Sequence, residues 1–320
     1  MVHICAACDD KYSKYLGVLI TSILRQTDQP LSFYVLCSGL SPKSQEKIKL
    51  LREIRDFELC FIEVNPHLFD GFNYNFYSVE VWYRLLIGKM LPPEVKRVLY
   101  LDCDMVVVGD IGEVYHSNLR GKVVGAYHDV LVYPALADST DMAIGSPYFN
   151  AGMLLIDLWQ WRDLQIENKL FEIANSKKGN FLFNDQDVLN ICFSQNDKCL
   201  ALPKNYNFVL PFKHIRSPFK LWQAKQESIR EFRQYRKEHA PVILHFIDKP
   251  WSRNACFVAW TFRKFYYEAL VATPWHFPSH GAYRRYVVWQ ACVFPWFFLY
   301  KNLYDGLYFL YVRSLKKLKR

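Results

Sequence analysis

Apolar positions in the first hundred residues fall into short runs alternating with helical stripes. Val2 to Ala7 is an apolar run that predicts a strand. Leu16, Leu19, Ile20, Ile23 and Leu24 then recur at i, i+3, i+4, i+7 and i+8, the stripe of a helix laid on a sheet. Leu31 to Cys37 predicts a second strand. Ser41-Pro42 supplies a capping hydroxyl and a proline at the first helical position, predicting a helix to about Ile54. Phe57 to Val64 predicts a third strand, Val79 to Leu91 a helix stopped by Pro92-Pro93, and Val98 to Leu101 a fourth strand. This alternation implies an α/β fold with a parallel sheet. Farther on, Val123 to Tyr127, Met153 to Ile156 and Val242 to Phe246 predict strands, and Asp185 to Phe193 a helix. The aperiodic stretch Val130 to Tyr148 holds Pro134, Gly145 and Pro147, and a loop that long in a compact domain is usually functional.

The fourth strand runs straight into Asp102-Cys103-Asp104, and the apolar pattern resumes at Met105 to Val108. A solvated turn is therefore the poorer reading, because uncompensated carboxylates bordering a core are costly. Paired oxygens at the end of a buried strand suit a hard divalent cation carrying phosphate.

Four other segments carry candidate chemistry. Ala7-Cys8-Asp9-Asp10-Lys11-Tyr12 ends the first strand, where α/β sheets bind nucleotides. Asp9 there suits a base or ribose edge and Tyr12 a stacking partner, although a helix cap at Asp9 or Asp10 explains the acids equally simply. Tyr148-Phe149-Asn150-Ala151-Gly152 brings small residues into a strand, either for close approach to a ligand or for a plain entry turn. Asn184-Asp185-Gln186-Asp187 opens a helix, where capping and the helix dipole account for the acids but not for Gln186. The fourth segment, His245-Phe246-Ile247-Asp248-Lys249-Pro250-Trp251, follows a strand with an imidazole and an ammonium.

Taken together, the motifs A-x-D-D-x-Y, Y-L-D-x-D, F-N-A-G, D-Q-D and H-F…K-P-W resemble those of glycosyltransferase family 8, in family order from about Val2 to Trp251. This family includes glycogenin and the bacterial lipooligosaccharide galactosyltransferases. The resemblance implies a GT-A fold, Rossmann-like with a mixed, mainly parallel sheet. It also implies transfer of galactose or glucose from a UDP-sugar, with retention of configuration and with Mn²⁺, Mg²⁺ being the alternative ion. By position, Asp102, Asp104 and His245 would ligate the metal. Ala7, Asp9 and Tyr12 would hold the uridine, and Lys249 the diphosphate. Arg84 would lie near the donor sugar and phosphate, and Asn150, Ala151, Asp185 and Gln186 along the hexose, with Gln186 or Asp185 facing the developing cation. Two departures stand out. Lys11 takes a place where relatives often carry asparagine, and the segment from His245 to Lys249 lacks a glycine and is about two residues short.

Composition changes the picture mainly at the C-terminus. The chain has 320 residues and a net charge of +9. Eight basic residues against the single acid Asp305 lie from Tyr283 onward, so most of that charge belongs to the tail and none of it marks a nucleic-acid binder. Val287 to Tyr300 is almost wholly apolar, but it falls short of the ~20 residues a spanning helix needs. Aromatic rings and a Tyr304, Tyr308, Tyr311, Leu315, Leu318 stripe beside basic residues predict attachment of 283–320 to an anionic membrane surface. The expected organisation is a catalytic domain over 1–270 and a membrane-associating helical tail over 271–320. The expected site is the cytoplasmic face of the inner membrane, with a lipid-linked oligosaccharide as acceptor. The opening residues hold no long apolar run of a secretory signal. Nine scattered cysteines, Cys5-x-x-Cys8 included, read as small buried hydrophobes in a reducing compartment.

Three alternatives accompany this reading. One is a glycogenin-like glucosyltransferase with another acceptor. Another is a haloacid dehalogenase-type phosphatase, with Asp102 as nucleophile of D-x-D-x-[TV]. The last is a non-catalytic membrane assembly factor.

Overall fold

The computed structural model describes residues 1–74, 77–128, 142, 147–194, 197–210, 230, 234, 240–247, 249–251 and 257–275. The membrane-tail expectation, Asp248 and most of the Val130 to Tyr148 loop lie outside these residues. Strands β1 (Val2–Cys8), β2 (Leu31–Cys37), β3 (Glu58–Glu63) and β4 (Arg97–Leu101) follow the predicted pattern. Three very short strands that periodicity did not reveal are β5 (Met105–Val107), β8 (Cys199–Ala201) and β9 (Phe208–Val209). The others, β6 (Val124–Ala126), β7 (Met153–Asp157) and β10 (Ile243–His245), lie where strands were expected. The main sheet has the order β3-β2-β1-β4-β7-β6-β8, and a smaller one the order β5-β10-β9.

From β3 to β4 the main sheet is parallel, β7 runs antiparallel to both β4 and β6, and β8 is parallel to β6. β2 is buried at every position, as a strand covered on both faces must be. Helix α1 (Ser13–Leu24) buries Leu16, Leu19, Ile20 and Ile23 against one face, each worth about 1.5–3 kcal/mol. Helix α2 (Pro42–Lys49) starts as predicted, with the Ser41 hydroxyl accepting from Ser44 N–H at 3.3 Å. Cys5 and Cys8, three residues apart on β1, belong to hydrophobic clusters on opposite faces of the sheet. The period of two therefore keeps the pair from acting together.

The segment predicted as a helix from Val79 to Leu91 is a 3₁₀ helix over Val79–Leu86, continued by the short α3 (Ile87–Met90). Glu80, Trp82, Tyr83, Arg84, Leu85 and Leu86 are all buried. A segment enclosed on every side takes the backbone that its tertiary partners require. After α4 (Ile111–Tyr115), helices α5 (Leu158–Asp163), α6 (Ile166–Ser176) and α7 (Asp185–Ser194) complete the layer beyond β7. Helix α8 (Phe257–Leu270) packs on α1, and Trp275 lies so close to Gly17 that an added Cβ there would stand 2.6 Å from its ring. Among the described residues no helix is long and apolar enough to cross a membrane.

Candidate active site

Strand register assembles the site. β4 pairs Leu101 with Met153, so Gly152 comes opposite Asp102, whose N–H donates to the Gly152 carbonyl at 2.9 Å. β5 pairs Met105 with His245, and Phe246 N–H donates to the Asp104 carbonyl at 3.0 Å. Asp102, Asp104 and His245 thereby present one donor atom each, all within 4.8 Å of one another. Asp104 Oδ1 is 3.3 Å from His245 Nε2 and, though buried, accepts no hydrogen bond. An orphaned buried carboxylate oxygen facing an imidazole nitrogen fits a bound cation, and two carboxylates with one imidazole suit Mn²⁺ or Mg²⁺. Gly152 leaves the room for it. A Cβ at that position would lie 2.5 Å from His245 Cε1 and 2.9 Å from Asp102 Oδ2.

The electrostatics of the two carboxylates diverge. Burial pushes Asp102 up, Arg84 opposes this, and the charge of Asp104 adds to the rise. Burial would raise Asp104 as well, but Lys249 and His245 more than offset it and hold its carboxyl far below the usual range. The Lys249 ammonium pairs directly with Asp104 Oδ2. That contact keeps Lys249 charged despite its own burial. The short segment after His245 therefore does bring Lys249 into the site.

Arg84, assigned by the motif to the donor side, is 6% exposed, and its guanidinium binds protein groups, with Nη2 at 2.8 Å from Asp102 Oδ1, Nε at 2.7 Å from Asp185 Oδ2 and Nη1 on the Ala151 carbonyl. Its face lies over the Tyr100 ring at 4.5 Å. Arg84 thus clamps the end of β4 to the start of α7. Burial still drives the Asp185 carboxyl up to about 7, with Arg84 opposing and Asp102 reinforcing the rise.

Gln186 sits beside it, its Oε1 accepting from Ala151 N–H at 2.9 Å and its Nε2 donating to Tyr148 Oη at 3.0 Å. Tyr148 in turn donates to Asp187 Oδ1 at 2.6 Å. The F-N-A-G and D-Q-D motifs are therefore one hydrogen-bonded unit. Asn150 turns its Oδ1 into the protein, toward Gly152 N–H and Asn207 Nδ2, both at 3.0 Å.

At the end of β1, Asp9 Oδ1 accepts from Tyr12 N–H at 2.7 Å and closes the turn ahead of α1, whose N-cap position is Tyr12 and carries no side-chain cap. Asp10 Oδ1 instead accepts from Ser41 N–H at 2.9 Å, tying the loop to α2. The Ala7 carbonyl accepts from Cys103 Sγ at 3.4 Å, placing it beside the Asp102-Cys103-Asp104 turn. Tyr12 meets Tyr15 edge-on and lies near Trp251, which stacks on Tyr15 at 3.6 Å. Lys11 is exposed. Three participants escaped the sequence reading. Asn207 accepts from His245 Nδ1, Tyr148 links the two motifs, and Tyr77 is close enough for its hydroxyl to feel Lys249 and three carboxylates. Asn207 carries no pattern signal beyond an amide in a turn before a two-residue strand.

A carboxylate pair at the end of a strand in a mainly parallel sheet, with an imidazole delivered by a second small sheet, is the arrangement of a GT-A glycosyltransferase, the fold shared with the solved relative below. The sequence profile of glycosyl transferase family 8 matches residues 3–255. The chain belongs to that family. It is 27% identical to the lipopolysaccharide 1,2-glucosyltransferase of Escherichia coli K12, over 86% of this chain and 79% of the relative. General stress protein A of Bacillus subtilis is 25% identical over 86% of this chain and 95% of its own. The galactosyltransferase LgtC, solved with donor and acceptor sugar analogues, superposes with a TM-score of 0.67 at 27% identity, covering 83% of this chain and 95% of that one. With membership established, the haloacid dehalogenase reading is set aside.

Proposed function

We propose that this glycosyltransferase is a UDP-hexose-dependent retaining enzyme, moving galactose or glucose to a lipopolysaccharide or lipooligosaccharide core with Mn²⁺ as its metal. The observation that carries this reading is the buried Asp102, Asp104 and His245 cluster, with its orphaned Asp104 oxygen, at the carboxyl end of β4. When bound, the ion would draw negative charge off the departing diphosphate. Lys249 supplies a fixed positive charge at the same edge for the same purpose. Ala7, Asp9 and Tyr12, at the end of β1, are assigned to the uridine. Asn150, Ala151 and Asp185 shape the hexose side, and Arg84, assigned near the donor sugar and phosphate, also fixes Asp102 and Asp185 relative to one another. The Gln186 carbonyl oxygen, tethered by Ala151 N–H, faces the sugar as positive charge develops on it.

The lipid-linked acceptor and the organisation into a 1–270 catalytic domain and a 271–320 membrane-associating tail are part of the proposal. They rest on the lipopolysaccharide relative and on the aromatic, basic character of 283–320. The cytoplasmic face of the inner membrane follows from that acceptor.

The deciding experiment measures UDP release from a panel of UDP-hexoses, with Mn²⁺ and with chelator, in the wild type and in Asp104→Asn. Metal-dependent release from one sugar, lost in the variant with the fold intact by circular dichroism, is the expected result. Release that is indifferent to chelator would sink the metal assignment. Silence with every donor, even with added lipopolysaccharide core, would favour a non-catalytic role.

A further inference from the structure

Behind His245 lies a chain of buried amides whose orientations follow from a single backbone group. Gly152 N–H is a donor with no alternative, and it lies 3.0 Å from the Asn150 side chain, which must therefore present its oxygen. That same Oδ1 is 3.0 Å from the Asn207 carboxamide, which must answer with its NH₂. The other end of Asn207 is then an oxygen, 3.2 Å from His245 Nδ1, so Nδ1 must carry a proton. The neutral imidazole is left with its lone pair on Nε2, aimed at Asp104 Oδ1 from 3.3 Å. Asn150, Asn207 and His245 are 5%, 0% and 4% exposed, so water has little access to rearrange the set.

We propose that Asn207 is a positioning residue. With Asn150 it forms a carboxamide relay, set by Gly152 N–H, that holds His245 in the Nδ1–H tautomer and readies Nε2 as a metal donor. This inference rests on the reading of Asp102, Asp104 and His245 as a divalent-cation site. With His245 neutral, two lone pairs face each other across 3.3 Å and repel unless a cation lies between them; a proton on Nε2, which pairs the ring with Asp104 in the absence of metal, is what the metal displaces. Partners of this kind behind a ligating histidine typically set metal affinity by about 10–100-fold.

The test uses the full chain and two readouts other than turnover. Nitrogen-15 NMR of histidine-labelled wild type at pH 8 with chelator should show His245 with a proton on Nδ1. Free Mn²⁺, followed by electron paramagnetic resonance with and without UDP, should give at least about tenfold weaker binding for Asn207→Leu. Asn207→Asp keeps an acceptor for Nδ1–H and should recover most of that affinity. A His245 Nδ1 without a proton in the wild type, or undiminished Mn²⁺ binding by a folded Asn207→Leu, would overturn the relay. The NMR result stands even if the leucine variant fails to fold. A wild type that takes up no Mn²⁺ in either condition would overturn the metal reading itself, and the relay with it, by a different signature.

Discussion

Arg84 Nε stands 2.7 Å from Asp185 Oδ2, and the same guanidinium reaches Asp102 Oδ1 at 2.8 Å through Nη2. One buried cation thereby joins a carboxylate at the end of β4 to one at the start of α7, far apart in the chain. Asp102, Asp104 and Asp185 bring three acids to a small volume, and Arg84, Lys249 and the His245 imidazole are set directly against them. Arg84→Met would leave Asp102 and Asp185 without this partner. A loss of about 3–5 kcal/mol in urea unfolding is expected, the usual consequence of breaking a buried pair from one side. Arg84→Met/Asp185→Asn should recover part of it. A loss under about 0.5 kcal/mol would show that the clamp is not structural.

Gly152 sets the floor of the proposed cation site. In Gly152→Ala the new methyl would press on His245 and Asp102 at 2.5 and 2.9 Å. Either the histidine or β7 must shift, at about 1–3 kcal/mol. Mn²⁺ affinity should fall at least about tenfold in a chain that still folds. Unchanged affinity by electron paramagnetic resonance would place the ion elsewhere.

Gln186→Ala removes the oxygen tethered to Ala151 N–H and the donor to Tyr148. If that oxygen stabilises the transition state, kcat should drop by about 10²-fold while UDP affinity changes little. Equal losses in both would assign Gln186 to ground-state binding.

Burial disfavours the charge of the Asp185 carboxyl and pushes its pKa from an ordinary 3.8 up to about 7. Folding then takes up a proton between these values. The contribution of this group to stability is greatest below about pH 4 and is lost as pH rises to about 7. Urea midpoints at pH 5 and pH 8 should therefore fall more in wild type than in Asp185→Asn. Equal falls would locate the titration at another group.

Deleting the residues after Ala282 removes eight basic side chains and twelve aromatic ones. Cosedimentation with anionic vesicles should be lost, at roughly 1 kcal/mol per basic residue near the surface, while UDP-hexose hydrolysis persists. Unchanged vesicle binding would refute the membrane tail.

Much of this was legible in the sequence because it is local. Alternation and helical spacing marked β1 to β4, α1 and α2, since each depends on which residues of one segment must face a core. The Asp102-Cys103-Asp104 turn declared itself by following an apolar strand, and the five motifs together named the family and, with it, the GT-A sheet. The strands β5 and β9 have too few residues for any period to show. Val79 to Leu86 looked like an α-helix by pattern; in the fold it is 3₁₀, with Glu80 bonded to Ser38 and Arg84 paired with Asp102 and Asp185, contacts that no local pattern shows.

Residue types and their order, then, were determined by the sequence alone, and so was the chemistry those types can perform. Which atoms meet was decided by tertiary structure. Arg84 turned to two carboxylates, Asn150 faced inward, and Asn207 arrived behind His245 only once β4 aligned with β7 and β10 aligned with β5 and β9. Such contacts depend on register between distant strands, where a slip of one residue would send each side chain to the opposite face.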